Sequence, residues 1–276
     1  MKQNRRKTGK EQYYTKQKDA DRLVETVFRM CNCNCKTFIE PAGGTGVFIN
    51  SLLNIGISPE KIISYDIEPL HPMVKKTNNF LSEDLGALKN CIAITNPPFG
   101  RANSLNVDFF NKLSMHCEYI AFVCPQSWRK WSVINKLNRK FHLLYDENLN
   151  INYDYVNSDK KSNSKLRTCF QIWERRETVR PTIKIPDRGY IEKTNPVSAD
   201  VQLTIFGRGC GEWTRNFEKI PNTTKMFIRV HRPWVYDALR NVDFSRFYMN
   251  TAFIEALSIQ EINFLLNEYA EANQLN

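Results

Sequence analysis

The sequence predicts an α/β fold: a doubly wound, Rossmann-like sheet followed by a small C-terminal α+β region. Three observations carry this expectation. Short apolar runs recur along residues 1–176, as strands covered on both faces by helices require. One run, KTFIE, passes directly into a glycine turn and a helical pattern in EPAGGTGVFINSLL. Two others end on polar clusters, YDIEP and NPPF, at the edge where doubly wound sheets bind ligands.

The elements follow in order. Residues 16–30 place Ala20, Leu23, Val24, Val27 and Phe28 at helical spacing, which predicts an amphipathic helix. In CNCNC the alternate spacing of Cys31, Cys33 and Cys35 predicts one face of a strand and differs from the CxxC spacing of a common zinc site. Reduced, partly buried thiols are expected there and no metal. Strands are then predicted at KTFIE, KIISYDIEP, CIAITNPPF, EYIAFVCPQSW and TCFQIWERR. The polar stretch NYDYVNSDKKSNSKLR between the last two reads as a mobile loop. Beyond residue 176 the sheet pattern stops, leaving scattered aromatics and arginines, so residues 1–176 and 177–276 are separate domains. Near the end, Ser258 with Glu261 three residues on forms a capping box before an apolar helix.

A hydrophobic share of 42% over 276 residues supports a real core. Lys and Arg outnumber Asp and Glu by 39 to 29, a formal charge of +10, with the excess expected at the N-terminus, MKQNRRKTGK, and in the C-terminal third. Such a balance suits a polyanion such as nucleic acid, and charge alone equally suits a membrane surface. No apolar run approaches the ~20 residues that span a bilayer, and the N-terminus lacks a secretory signal. A cytoplasmic location is expected.

The chemistry gathers at strand ends. A turn through Gly43, Gly44 and Gly46 after Glu40 brings backbone N–H groups near a ligand. Asp66, about twenty residues further on, is placed to accept the hydroxyl protons of a ribose, which suits either a dinucleotide or S-adenosylmethionine. At Asn96-Pro97-Pro98-Phe99 the prolines carry no N–H, so their carbonyls and the Asn96 amide oxygen form an acceptor arc for a group with two N–H donors. An exocyclic amino group on a nucleobase is such a group. Accepting both its hydrogens, from Asn96 and the Pro97 carbonyl, pulls its nitrogen toward tetrahedral geometry and aims the lone pair at a methyl donor. Phe99 is then placed to stack on the base.

These residues resemble a known family. NPPF resembles motif IV of the S-adenosylmethionine-dependent amino-methyltransferases that act on adenine N6; EPAGGTGVF is similar to their motif I and YDIEP to motif II. Upstream, EQYYT resembles motif X; downstream, FVCPQSW and TCFQIW resemble motifs VI and VIII, over roughly residues 8–176. The order resembles the gamma arrangement, with target recognition after the catalytic domain. The resemblance implies that Asn96, Pro97, Pro98 and Phe99 grip and stack a flipped base. It implies cofactor contacts from Glu40, Pro41, Ala42, Gly43, Gly44 and Gly46, from Asp66, and from Tyr13, Tyr14 and Thr15. Where the family often has Asp-Phe, this chain reads Asn79-Phe80, which the resemblance places against the cofactor's adenine. Phe170 is a candidate second stacking group and Arg101 a candidate substrate contact, although Cys169, Phe170 and Trp173 also read as core.

The implied function is site-specific adenine N6 methylation of double-stranded DNA, with a companion restriction enzyme or recognition subunit as a further implied partner. FGRGCGEWTRNFEK and FIRVHRPW offer arginines beside aromatics for phosphates and base edges. RNA adenine N6 methylation, protein-glutamine methylation and a catalytically silent cofactor-binding nucleic-acid module are the alternatives. Phe99 and the charge speak against the protein substrate, and the intact NPPF against the silent module.

Overall fold

The computed structural model describes residues 13–34, 36–151, 153 and 166–275, and the chain forms two compact units, 1–182 and 183–276. The basic N-terminus through Gln12, Cys35 and most of the polar stretch 152–167 lie outside the described residues.

The first unit is built on seven strands: β1 (Phe38–Glu40), β2 (Ile62–Asp66), β3 (Lys75–Lys76), β4 (Cys91–Thr95), β5 (Cys117–Pro125), β6 (Phe141–Leu149) and β7 (Thr168–Arg175). Their order is β3-β2-β1-β4-β5-β7-β6. The pairs from β3 to β5 are parallel, whereas β7 runs antiparallel to both β5 and β6. Every residue of β1 and β4 is buried, and each run is apolar until its last residue, Glu40 or Thr95. From β1 the chain builds outward to β2 and β3, then returns to lay β4 on β1's other side. That reversal opens a crevice beyond the carboxyl ends of β1 and β4, and both the glycine turn and NPPF emerge there.

Helix α1 (Gln17–Met30) buries Ala20, Leu23, Val24 and Val27 completely, on the stripe expected. It is pinned to α2 (Val47–Asn54) through Gln17, whose Nε2 donates to Val47 O at 3.0 Å and Ser51 Oγ at 2.9 Å. The cysteine stretch is not a strand in its described residues: Cys31 closes α1 by donating its N–H to Val27 O at 2.8 Å. Burial pushes the Cys31 thiol up to about 12 and the Cys33 thiol to about 11, so both stay protonated. Helix α3 (Ser104–Leu113) places Phe110 edge-on to Phe122, Phe141 and Trp173, an aromatic centre in which each fully buried ring contributes roughly 1.5–3 kcal/mol. A short helix, α4 (Trp131–Ile134), follows β5.

The unit boundary falls at Thr182/Ile183 rather than 176/177. Residues 176–180 stay on the first unit because Arg176 N donates to Lys140 O and Arg180 N to Arg139 O, both at 2.8 Å. The second unit has its own antiparallel sheet, in the order β10 (Trp213–Thr214), β9 (Val201–Phe206), β11 (Thr224–Val230), β8 (Ile191–Lys193). Helices α5 (Val235–Asn241), α6 (Ser245–Tyr248) and α7 (Ile259–Ala272) complete it. The capping box is formed: Ser258 Oγ accepts from Glu261 N at 3.3 Å, and Glu261 Oε2 accepts from Ser258 N at 2.7 Å. The C-terminal third does not carry the charge excess expected of it. Residues 183–276 carry 11 Lys and Arg against 11 Asp and Glu, so the whole excess of +10 belongs to residues 1–182. Among the described residues no helix is long and apolar enough to cross a membrane.

Candidate active site

A cavity of about 270 Å³ opens at the crevice. The glycine turn forms one wall. Gly43 N donates to Tyr65 O at 2.9 Å and Gly44 N to Asp66 Oδ2 at 2.8 Å, so the turn is fastened to the end of β2. The glycines are required first by the protein's own packing. A Cβ at Gly43 would lie 2.3 Å from Ser64 Oγ, and at Gly46, where φ is +77°, 2.3 Å from the His71 ring. Asp66 also accepts Glu68 N on Oδ1 at 2.8 Å, which fixes the carboxylate plane while each oxygen keeps a further lone pair.

Beneath the turn, Glu40 is 2% exposed. Its Oε1 accepts weakly from Ala42 N at 3.4 Å, and Oε2 is buried with no hydrogen-bond partner among the described residues. Burial pushes this carboxyl well above the usual carboxylate range; Thr95 and the Ala42 N–H oppose the rise without reversing it, and the charge of Asp66 adds to it.

The opposite wall comes from the end of β4. Asn96 Nδ2 donates to Tyr13 O at 2.7 Å and Thr15 Oγ1 at 3.2 Å. A backbone carbonyl only accepts, so the amide nitrogen must face Tyr13, which leaves Oδ1 as the side chain's acceptor end. After Phe99 the backbone turns through left-handed conformations at Gly100, Ala102 and Asn103, with φ of 69°, 52° and 63°. Ala102 adopts this at a cost of order 1–2 kcal/mol. Asn103 Nδ2 then donates to Ser127 Oγ at 2.9 Å, tying the loop after β4 to the loop after β5.

Of the residues singled out from sequence, Tyr13, Tyr14, Thr15, Pro41, Ala42, Gly43, Gly44, Asp66, Asn79, Phe80, Asn96 and Pro98 all line this one cavity. Asn79 does so while its Oδ1 caps a short turn by accepting Leu81 N at 3.0 Å, and Phe80 is mostly core, tilted against Tyr65 and Phe109. Glu40 and Gly46 lie behind the wall, and Pro97 is buried. Phe99 is 6% exposed, and its ring stacks against Tyr13 with centroids 5.8 Å apart and planes 17° apart. Arg101 is exposed outside the cavity. Phe170 is fully buried in β7 and does not reach the cavity, so its expectation as a stacking group gives way to the core role.

Sequence reasoning missed Glu68, Thr77, Asn78, Leu105 and Phe109, which also line the cavity. Thr77 and Asn78 arrive there because β3 pairs beside Asp66, with Thr77 N donating to Asp66 O at 2.8 Å.

No family model and no curated protein matches the chain. Among solved structures it is similar to a candidate RNA methyltransferase from Pyrococcus horikoshii, at 16% identity over 62% of this chain and 89% of that one, TM-score 0.48. It is also similar to the 23S rRNA methyltransferase ErmE, at 14% identity over 63% and 72%, TM-score 0.42. A third is the M protein of the type I restriction enzyme EcoKI, at 16% identity over 59% and 44%, TM-score 0.43. Similarity at this level assigns no activity, and the functional reading rests on the site.

Proposed function

We propose that this chain is an S-adenosylmethionine-dependent amino-methyltransferase that methylates adenine N6 in DNA. The observation that carries the reading is Asn96: it follows β4 on the wall facing the glycine turn and Asp66, with both amide hydrogens engaged and its oxygen left as acceptor.

The residues fit the cofactor. Asp66 at the end of β2, with a further lone pair on each oxygen, suits a ribose diol, and Glu40 behind the wall orients the turn through Ala42 N. When bound, S-adenosylmethionine supplies an electrophilic methyl on a sulfonium sulfur. Asn96 Oδ1 accepts one hydrogen of the adenine amino group and the Pro97 carbonyl the other, withdrawing the nitrogen lone pair from the ring. The amino nitrogen held by these acceptors would take the methyl, the sulfonium would leave as a neutral thioether, and the proton shed by nitrogen would pass to solvent. A base in a duplex must first leave its stack, which costs a few kcal/mol.

RNA adenine N6 transfer is the second reading. The neutrality of residues 183–276 supports keeping it, because it removes the electrostatic reason for assigning duplex binding to that unit. The test is mass spectrometry of nucleosides after incubating unmodified duplex DNA, and separately total RNA, with the protein and isotopically labelled S-adenosylmethionine. Labelled N6-methyldeoxyadenosine is the expected product. Label only in RNA moves the substrate class, and none in either overturns the enzyme.

A further inference from the structure

We infer that Thr15 is a positioning residue for methyl transfer, setting the orientation of the Asn96 amide rather than serving only the cofactor; the inference rests on the function proposed above. An asparagine side chain has an acceptor end and a donor end of nearly equal size. Turned the wrong way, Asn96 would point N–H groups at the N–H groups of its substrate. The choice is made by the segment that enters the cavity from the N-terminal side. Tyr13 O, at 2.7 Å, takes one Nδ2 hydrogen and Thr15 Oγ1, at 3.2 Å, takes the second.

The two contacts differ in what a substitution can reach. Tyr13 contributes a main-chain carbonyl, which no side-chain change removes. Thr15 contributes a hydroxyl, and at 5% exposure it cannot readily be replaced by solvent. The segment is itself anchored through α1, because Gln17, two residues on, bonds Val47 O and Ser51 Oγ in α2. Helix α2 begins at the end of the glycine turn, so one short stretch of chain connects the helix behind the cofactor loop to the catalytic asparagine.

The test compares Thr15→Val, which keeps the branched shape without the acceptor, with Thr15→Ser, which keeps the acceptor. Single-turnover transfer of labelled methyl is read on whichever of duplex DNA or RNA the wild type labels, and S-adenosylmethionine affinity is read by calorimetry. Thr15→Val is expected to slow transfer roughly 5–10-fold, the worth of about one hydrogen bond, at unchanged cofactor affinity. Thr15→Ser is expected to restore most of the rate. Placed on an Asn96→Ser background, Thr15→Val is expected to cost nothing further, since its effect runs through the amide. Wild-type transfer by Thr15→Val, or a rate loss matched by lost cofactor affinity, overturns the positioning role while leaving the methyltransferase intact. A wild type that labels neither nucleic acid overturns both. Should Thr15→Val fail to fold, Thr15→Ala against Thr15→Ser makes the same comparison.

Discussion

The two units solve different problems with similar residues. In residues 1–182 the sheet is mostly parallel, its central strands are wholly buried, and polar residues gather at strand ends, where they converge on one cavity. In residues 183–276 the sheet is antiparallel and charges balance at 11 against 11. Several of its arginines are engaged by its own aromatics and acids: Arg215 lies 4.6 Å from the Tyr236 ring centroid, Arg240 5.6 Å from that of Trp213, and Arg246 pairs with Glu268. Arginines beside aromatics in sequence therefore marked internal stacking at least as much as a nucleic-acid surface. Net charge has to be counted per unit before it is assigned to a partner.

The sharpest test of that division is Asn96→Ala, which is expected to lower methyl transfer by about 10²–10³-fold while cofactor affinity by calorimetry stays put. Asp66→Ala is the converse, weakening the cofactor first; if both variants lose binding together, the two walls of the cavity are not separable. Glu40→Gln probes the floor. Because the folded protein holds this carboxyl well above its ordinary range, ionisation costs stability as pH rises from the unfolded value toward the folded one. The glutamine variant is therefore expected to gain stability over wild type as pH climbs through that window, in denaturant titrations. A constant difference across pH would show that the carboxyl titrates normally.

On the other side of the comparison, Ser258→Ala removes the capping box of α7 and is expected to cost about 1 kcal/mol of the second unit's stability, without moving cofactor binding. The smallest effect concerns charge. If phosphate contacts belong to the unit with the excess, Arg101→Ala lowers the salt slope of nucleic-acid binding by about one, and Arg232→Ala leaves it unchanged. Equal shifts in both would break the contrast.

Much of the first unit was legible because its central strands are buried and read as apolar runs, and because the glycine turn and NPPF interrupt those runs sharply at their carboxyl ends. What escaped did so for definable reasons. Strand β6 carries Asp146, Glu147 and Asn148 on an edge, so it never read as apolar, and β3 is two lysines made a strand only by pairing with Tyr65 and Asp66. The cavity wall that follows β3 was hidden with it. The cysteine repeat had the period of a strand, but the N–H of Cys31 was taken by the last turn of α1. In the second unit, strands such as β9 and β11 are separated by turns through Gly207, Gly209 and Gly211, and their partners lie far apart in sequence. Local patterning says little about such pairings.

The stack of Tyr13 on Phe99 bears on selectivity. Under the proposed reaction, an incoming base that takes this face finds it already covered by a ring of comparable size. Arrival is then an exchange of one aromatic neighbour for another, so part of the stacking a base gains is offset by the stacking it displaces. Every base has a π-face, so stacking discriminates weakly and the decision falls to the polar edge presented to Asn96. Under that reaction such a site would discriminate more than it adheres, since a base with the wrong edge would gain only the difference between its own stacking and that of the tyrosine it displaces.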